Sequence, residues 1–552
     1  MSKDLDKAFF GHPAGLSTLF FTEMWERLSY YGARAFLFIF MTTTVAKGGL
    51  GLDDAAAGLV MALYLSSVYL LSLPGGWIAD RFLGQRRAVT LGGIGIMLGN
   101  AFLALPSNDF FYPGLGLIAI GTGLLKPNVS TIVGQLYKKD DLRRDAGYTI
   151  YYMGINIGAF FAPFIGWLMA ESSGFRVLLA DNGIDPNMAW KFAYAVPAVG
   201  MALGIVQYLI GYKKMGEAGL HPTIPSDPKK ASRDRVVLLT IIGGLVAIVG
   251  GAVGLDAAGI VSFSEEAIGN AFGVGLLIAA VALFIGLYKT ARDHGERKRV
   301  TAMIPLFLGA VAFFAVFEQA STTLSAYAKR LVDRDLIGFH LEASGYQLFN
   351  AFFIIVLASP FAYMWTRLAK SGKEPSVVTK FAIGMVLAAL SFVVLIPSLG
   401  SITQLDELQK AALAVNQNAD LSSIAPHLRV SGMYLVALYF VSTLSEMFIS
   451  PVGLSSMSKL APERLAGMVM GTWFLATAIG NYLAGRAAGF SQARGYSFLV
   501  YTLIISSLVV AAILFMVAPM IKRMLAGKAS APADHSEKAE PDPLPAARTL
   551  DD

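Results

Sequence analysis

Fourteen long, mostly apolar stretches run through this chain, near 15–44, 54–79, 88–106, 112–136, 147–170, 189–211, 236–255, 268–288, 301–328, 345–369, 378–398, 431–453, 466–486 and 496–520. A stretch of about 20 apolar residues is the length of a helix that crosses a bilayer. In lipid every backbone N–H and C=O must find its partner within the segment, which leaves helices as the form such stretches can take. The sequence therefore predicts an all-α polytopic membrane protein. Composition agrees: 55% of the residues are hydrophobic and 15% charged, where a soluble domain carries about a quarter charged residues. That balance argues against a soluble enzyme, a nucleic-acid binder and a disordered scaffold. The absence of cysteine removes disulfides, thiolate metal sites and thiol catalysis. No GxxxxGK[ST] or HExxH pattern occurs, so neither ATP-driven pumping nor zinc hydrolysis is supported. No enzyme activity, cofactor or metal is expected.

The loops give an orientation. Those near 80–87, 137–146, 212–235, 289–300, 367–380 and 456–465 fall on one side and hold 24 Lys and Arg, against 10 in the seven loops of the other side. The positive-inside bias places the richer side, and with it both termini, in the cytoplasm. The expected location is the plasma (inner) membrane, multi-pass. The high pI thus reflects topology and not a nucleic-acid partner. The expected organisation is a cytoplasmic N-terminus (1–14), a six-helix bundle (15–211), a linker with an inserted helix pair (212–300), a second six-helix bundle (301–520) and a disordered cytoplasmic tail (521–552), whose Ala/Pro/charge-rich composition cannot bury apolar surface.

Of the 44 Lys and Arg, only Arg27, Arg34 and Lys126 lie deep inside predicted spans, together with the carboxylates Glu23, Glu26, Glu318 and Glu446. A charge near the bilayer centre costs about 2.5–3.5 kcal/mol even on lenient scales, so these seven should face water or one another. In the first span Glu23, Glu26, Arg27, Tyr30, Tyr31 and Arg34 share one helical face. Phe20, Phe21, Leu28, Phe36 and Phe38 form the other, which can meet lipid. An ion-paired packing seam, Glu23 with Arg27, is the plain alternative to a cavity-lining helix. Lys126 is too far from either end of its span to snorkel, and Pro127 beside it should loosen the helix.

With the 236–288 hairpin set aside as an insertion, Arg27 and Lys126 fall in spans 1 and 4 of the first half, and Glu318 and Glu446 in spans 1 and 4 of the second. Buried polar groups at equivalent positions of two halves mark a midplane site. All three cations belong to the first half, while the second half contributes only carboxylates. A cavity between them suits a zwitterion. With four carboxylates against three cations, one carboxylate is left over as a candidate proton carrier. Gly76, Asp80, Arg81, Gly84 and Arg86 form a tight charged turn that can latch neighbouring helices. Pro74, Pro163, Pro305, Pro360 and Pro451 permit bending.

The run Glu23-Met-Trp-Glu26-Arg27-Leu-Ser-Tyr30-Tyr31-Gly-Ala-Arg34 resembles the ExxERxxYY signature of the proton-dependent oligopeptide transporters, the POT family of the major facilitator superfamily. The resemblance continues at Gly121–Asn128, Tyr151–Gly158, Phe317–Gln319, Asn350 with Pro360, and Glu446 with Ser450–Ser455. It implies the major facilitator fold, two six-helix bundles plus the extra bacterial helix pair. It implies that Glu23, Glu26 and Arg27 couple protons with Lys126 near them. Arg34 and Lys126 would receive a peptide carboxylate, and Asn156, Asn350 and Glu446 its amine. Tyr30, Tyr31, Tyr69, Trp473 and Phe474 would shape side-chain pockets, and Glu318 would form a gating salt bridge with Arg34. One departure stands out: Ala351 follows Asn350 where the family usually has proline, so that span should be stiffer there. The external stretch from 399 to 429 should carry a short helix, Leu405–Val415.

The expected function is proton-coupled uptake of di- and tripeptides by alternating access. The partners would be peptides, protons and the bilayer, with no nucleic acid and the monomer as working unit. The same fold carrying nitrate or another small anion or conjugate, or a non-transporting peptide sensor, are the alternatives.

Overall fold

The computed structural model describes residues 6–138, 141, 143–222, 227–259, 262, 264–416, 423–460 and 466–526. The chain begins with α1 (Ala14–Thr42), α2 (Asp54–Leu70), α3 (Ser72–Ile78), α4 (Gln85–Ala104), α5 (Phe111–Gln135), α6 (Arg144–Ile165), the short α7 (Ser173–Asp181) and α8 (Ala189–Ile210). Then come α9 (Pro228–Ala257) and α10 (Glu265–Thr290). The second half holds α11 (His294–Phe317), α12 (Thr323–Arg330), α13 (Leu348–Lys370), α14 (Val377–Val393), α15 (Leu399–Val415), α16 (Met433–Leu460), α17 (Ala466–Arg494) and α18 (Tyr496–Ala526). A helix thus lies on each of the fourteen apolar stretches.

Eleven helical segments among the described residues are long and apolar enough to cross a membrane, which makes this a multi-pass membrane protein. Three of the fourteen expected spans fall outside that number. The charges of α1 lower its hydropathy, and glycine, threonine and asparagine dilute α17. Several side chains of α9 lie outside the described residues, as do the tail from 527 onward and residues 461–465 of the 456–465 loop. Residues 521–526, expected in the tail, continue α18.

Two groups of helices form the body. Helix α1 is packed against α6 and α8, and α4 joins α5 to α8. In the second group α14 lies against α16 and α18, and α11 against α17 and α18. The groups meet where α2 crosses α17, where α13 meets α6, and where α1 touches α12. Close crossings need small residues, since lipid offers no hydrophobic drive for helices to associate. At the α2–α17 crossing a Cβ on Gly485 would stand 2.6 Å from Ala62 Cβ.

Most of the bonds between the groups among the described residues gather at one end. Arg330 grips Asp54 at 2.7 Å, Lys329 donates to Thr43 at 2.6 Å, Gln347 to the Ala35 carbonyl at 3.1 Å, Trp167 to the His340 carbonyl at 3.2 Å, and the Ser344 N–H to Glu171 at 2.9 Å. All lie at the end opposite the start of α1 and the end of α18. Among the described residues no hydrogen bond or ion pair joins the groups at the end that carries the termini.

Several expectations need correction. Phe36 and Phe38 are fully buried; Phe36 sits on Tyr194 and Trp190 of α8. Of the five apolar residues assigned to a lipid face, only Phe21 is exposed. Helix α1 is a central strut surrounded by protein. Helix α5 runs unbroken through Pro127. Real interruptions occur elsewhere: α2 stops at Leu70, four residues before Pro74, whose ring excludes the Leu70 carbonyl from the ladder. Helix α11 gives way to a 3-10 turn, Glu318–Ser321. Helix α15 begins at Leu399, six residues before the expected start, and buries Leu399, Ile402 and Leu405. Helix α13 runs unbroken from Leu348 past Asn350 and Ala351.

Candidate functional site

The charged face of α1 stays inside the protein because α6 approaches it through two glycines one helical turn apart. A Cβ on Gly154 would stand 2.8 Å from the Phe20 carbonyl oxygen, and one on Gly158 would stand 2.8 Å from Arg27 Cβ. This approach brings Tyr151 to Glu23, where the phenol donates a hydrogen bond of 2.7 Å. Arg27 pairs with Glu23 at 3.1 Å and also with Glu26. All three charged side chains are buried, so the one cation serves both carboxylates out of water.

The cluster extends along the helix. Arg27 lies over the rings of Tyr30 and Tyr31 at 5.2 and 5.7 Å, and Arg34 lies over Tyr31 at 5.8 Å. Tyr31 therefore sits between the two arginines. Arg34 forms a buried ion pair with Glu318, which the 3-10 turn after α11 presents. Lys126 caps the Tyr69 ring at 4.1 Å and has no carboxylate within salt-bridge distance among the described residues. On the opposite side Asn350 donates to Glu446 at 3.0 Å and to Thr443 at 3.1 Å. No cation pairs with Glu446 among the described residues, so it is the carboxylate left over in the charge count.

A central cavity of about 120 Å³ gathers part of this set: Tyr31, Arg34, Asn156, Glu318, Asn350 and Glu446 line it, from α1, α6, the turn after α11, α13 and α16. Glu23, Glu26, Arg27, Tyr30, Lys126, Tyr69, Trp473 and Phe474 are not among its lining residues. Tyr30 is buried in the core, and Trp473 packs edge-on against Phe314, 5.6 Å away. The structure adds Gln347, Tyr439 and Ser442 to the lining. Tyr439, Ser442 and Thr443 stand seven, four and three residues before Glu446, on its helical face, and that spacing is the signal that finds them.

The Gly76–Arg86 turn is a latch of backbone carbonyls. Gly84 takes a positive φ of 77°, and Asp80 accepts from Gln85 at 2.9 Å. Arg86 donates to the carbonyls of Ala218, Tyr212 and Gly216 at 2.6, 3.1 and 2.5 Å. Arg81 reaches Asp234 at 3.6 Å. Gly76 lies against Pro127 of α5.

The sequence profile of the POT family matches residues 86–504. The chain belongs to the POT family. The peptide transporter YePEPT of Yersinia enterocolitica subsp. palearctica is 36% identical over 494 residues, covering 88% of this chain and 89% of that protein. The di-/tripeptide transporter of Lactococcus lactis subsp. lactis is 35% identical over 530 residues, 94% of this chain and 98% of that one. The crystal structure of a POT family transporter in complex with 5-aminolevulinic acid superposes with a TM-score of 0.80 at 31% identity, over 94% of this chain and 98% of that chain. In this POT-family chain the ExxERxxYY signature is the buried ladder from Glu23 to Arg34.

Proposed function

We propose that this protein is a secondary transporter that takes up di- and tripeptides with protons by alternating access, between two six-helix bundles. The observation that carries this reading is the pairing of opposite charges across one cavity. Arg34 stands on one wall, and Glu446, held by the Asn350 amide and with no cation paired to it among the described residues, on the other. A peptide backbone offers a carboxylate to the first and an ammonium to the second. The relatives named as peptide transporters and the neighbour that holds 5-aminolevulinic acid, itself an amine with a carboxylate, support the same chemistry.

The proton enters through competition for Arg34. Glu318 and a peptide carboxylate cannot both occupy that guanidinium, so protonating Glu318 frees it for substrate. Glu23 and Glu26 exchange a second proton with water, with Arg27 and Lys126 as the cations that hold them. The richer basic loops place both termini in the cytoplasm. The one-ended bonding between the bundles then makes this the arrangement closed to the outside. A membrane potential supplies about 2.3 kcal/mol per charge per 100 mV, enough for one proton to drive roughly fifty-fold accumulation. Glu446 would repel a purely anionic cargo. Uptake into proteoliposomes under separate pH and voltage gradients tests this, with dialanine and nitrate as competitors. Competition by nitrate but not dialanine overturns the peptide reading.

A further inference from the structure

A second cavity, of about 500 Å³, opens on the side of the central cavity that faces the termini, among α13, α14 and α16. Small-molecule pockets run to about 300–1,000 Å³. In this arrangement the peptide-sized space is therefore the second cavity, the central one being about 120 Å³. The two are adjacent, since Tyr152, Ile354 and Glu446 line both. From Glu446 the wall passes over apolar residues, Phe361, Met447 and Pro451 among them, to Trp365, Glu374 and Lys380. Ile354 and Trp365 are eleven residues apart on α13, about 16 Å of helix.

Lys380 is a prepared group. It is 7% exposed, its Nζ stands 4.1 Å over the Trp365 ring, and it pairs with Glu374 at 2.5 Å. It projects from the first turns of α14, behind the Ser376 cap, where the helix dipole also favours an anion. Glu374 lies in the preceding loop, with a side chain 44% exposed. It can swing into water when another carboxylate replaces it on Lys380, and Lys380 cannot follow. A buried ammonium stacked on an indole and held by one displaceable carboxylate is a carboxylate receptor occupied by its own competitor.

We propose that Lys380 and Trp365 form a second carboxylate station on the exit path. The inference rests on the peptide-transport reading. When Glu318 reclaims Arg34, as in this structure, the peptide carboxylate is displaced. Lys380 then receives it, with the ammonium end toward Glu446. Glu374 later returns to Lys380 and expels the peptide. The cavity mouth so sets how fast peptides leave, and how strongly peptide inside the cell inhibits the transporter.

The test compares the two faces of the membrane in inside-out and right-side-out vesicles, using trialanine and trialanine amide. Glu374→Gln removes the competitor and should lower the half-saturating trialanine concentration about tenfold on the termini-bearing face. Lys380→Gln should raise it about tenfold there. Both shifts should be confined to that face, and both should vanish with the amide. The gain in Glu374→Gln cannot come from misfolding. An unchanged value in Glu374→Gln, an equal shift on both faces, or the same shifts with the amide overturns the station. Absence of any trialanine flux in the unaltered protein overturns the transport reading instead.

Discussion

Replacing Glu318 by glutamine asks whether its ion pair with Arg34 holds shut the end of the molecule opposite the termini, the outer end in the proposed orientation. Both partners are buried, Arg34 6% and Glu318 3% exposed, and they belong to different helix groups. Removing one member of a buried pair strands the other charge, at about 3–5 kcal/mol. When the outer end opens, water solvates Arg34, so the cost falls on the closed state alone. A glutamine amide still accepts one hydrogen bond, which restores about 1 kcal/mol. The net bias toward opening is then about 2–4 kcal/mol, roughly a 30- to 700-fold change in the closed-to-open ratio at about 1.4 kcal/mol per decade. The chain contains no cysteine, so Ala320→Cys, which lines the cavity, supplies the single thiol. In right-side-out vesicles a membrane-impermeant maleimide should label it at least about thirty-fold faster when Glu318→Gln is added, because labelling follows the open population. A rate unchanged within about twofold would refute the reasoning. It would mean that Asp54–Arg330 and its neighbours hold the seam without the pair.

Glu26→Gln and Lys126→Gln should each abolish uptake driven by a pH gradient, with counterflow surviving in Glu26→Gln; unchanged gradient-driven uptake by either variant removes that residue from proton coupling. Burial, and then the neighbouring Glu342, raise the carboxyl of Glu171 above the usual carboxylate range at the seam opposite the termini. Opening returns it to water and to its ordinary value. The closed state thus binds the proton more tightly, and this contribution to closure is present at low pH and is lost as pH rises through the raised value. Labelling of Ala320→Cys should therefore accelerate with pH relative to the same protein carrying Glu171→Gln, and a flat ratio contradicts it. Arg86→Ala removes three bonds from a buried guanidinium to carbonyls, each worth about 1.5–3 kcal/mol. The thermal unfolding midpoint in detergent should fall, and Arg86→Lys should recover only part of it; transport loss with an unchanged midpoint would rule out a structural latch. Gly485→Leu forces a side chain against Ala62 and should leave the end opposite the termini unable to close, seen as fast thiol labelling with peptide transport lost.

How far the sequence reaches depends on whether a residue is improbable where it stands. Glu23, Arg27, Arg34, Glu318 and Glu446 are legible because a charge at membrane depth has few places to go, and the structure gives each a polar partner. Phe36 and Phe38 are illegible for the opposite reason: an apolar side chain is equally at ease against lipid or protein. Only the packing of α6, α8 and α12 around α1 shows that they face protein. Arg86 reads as one more basic residue of an inner loop. Its real partners are carbonyls of the segment after α8, and carbonyls carry no residue-type signature. Lys380 escapes for a related reason. It stands at the edge of a predicted loop, where a lysine is unremarkable, and only the fold shows it buried over Trp365.

The two charge clusters of α1 are separate in sequence but not in energy. Glu23, Glu26 and Arg27 occupy one stretch of the helix, and Arg34 pairs with the other bundle eleven residues beyond Glu23, about 16 Å along the axis. Tyr31 lies between the arginines, within 5.7 and 5.8 Å of each. Two carboxylates on Arg27 leave that side with a net negative charge, and Lys126, nearby and without a carboxylate at salt-bridge distance among the described residues, compensates it. Protonating either carboxylate leaves the cation count of this half unchanged and removes one negative charge. The first bundle then becomes more positive toward the cavity, which favours an incoming carboxylate on Arg34 and weakens nothing on the Glu446 side. By the reciprocity of linked equilibria, peptide binding must then raise proton affinity at the Glu23–Glu26 pair by the same factor. Peptide affinity that stays constant across pH in Glu318→Gln, where the direct competition for Arg34 is gone, would show that this second coupling does not exist and that the gate alone links the two cargoes.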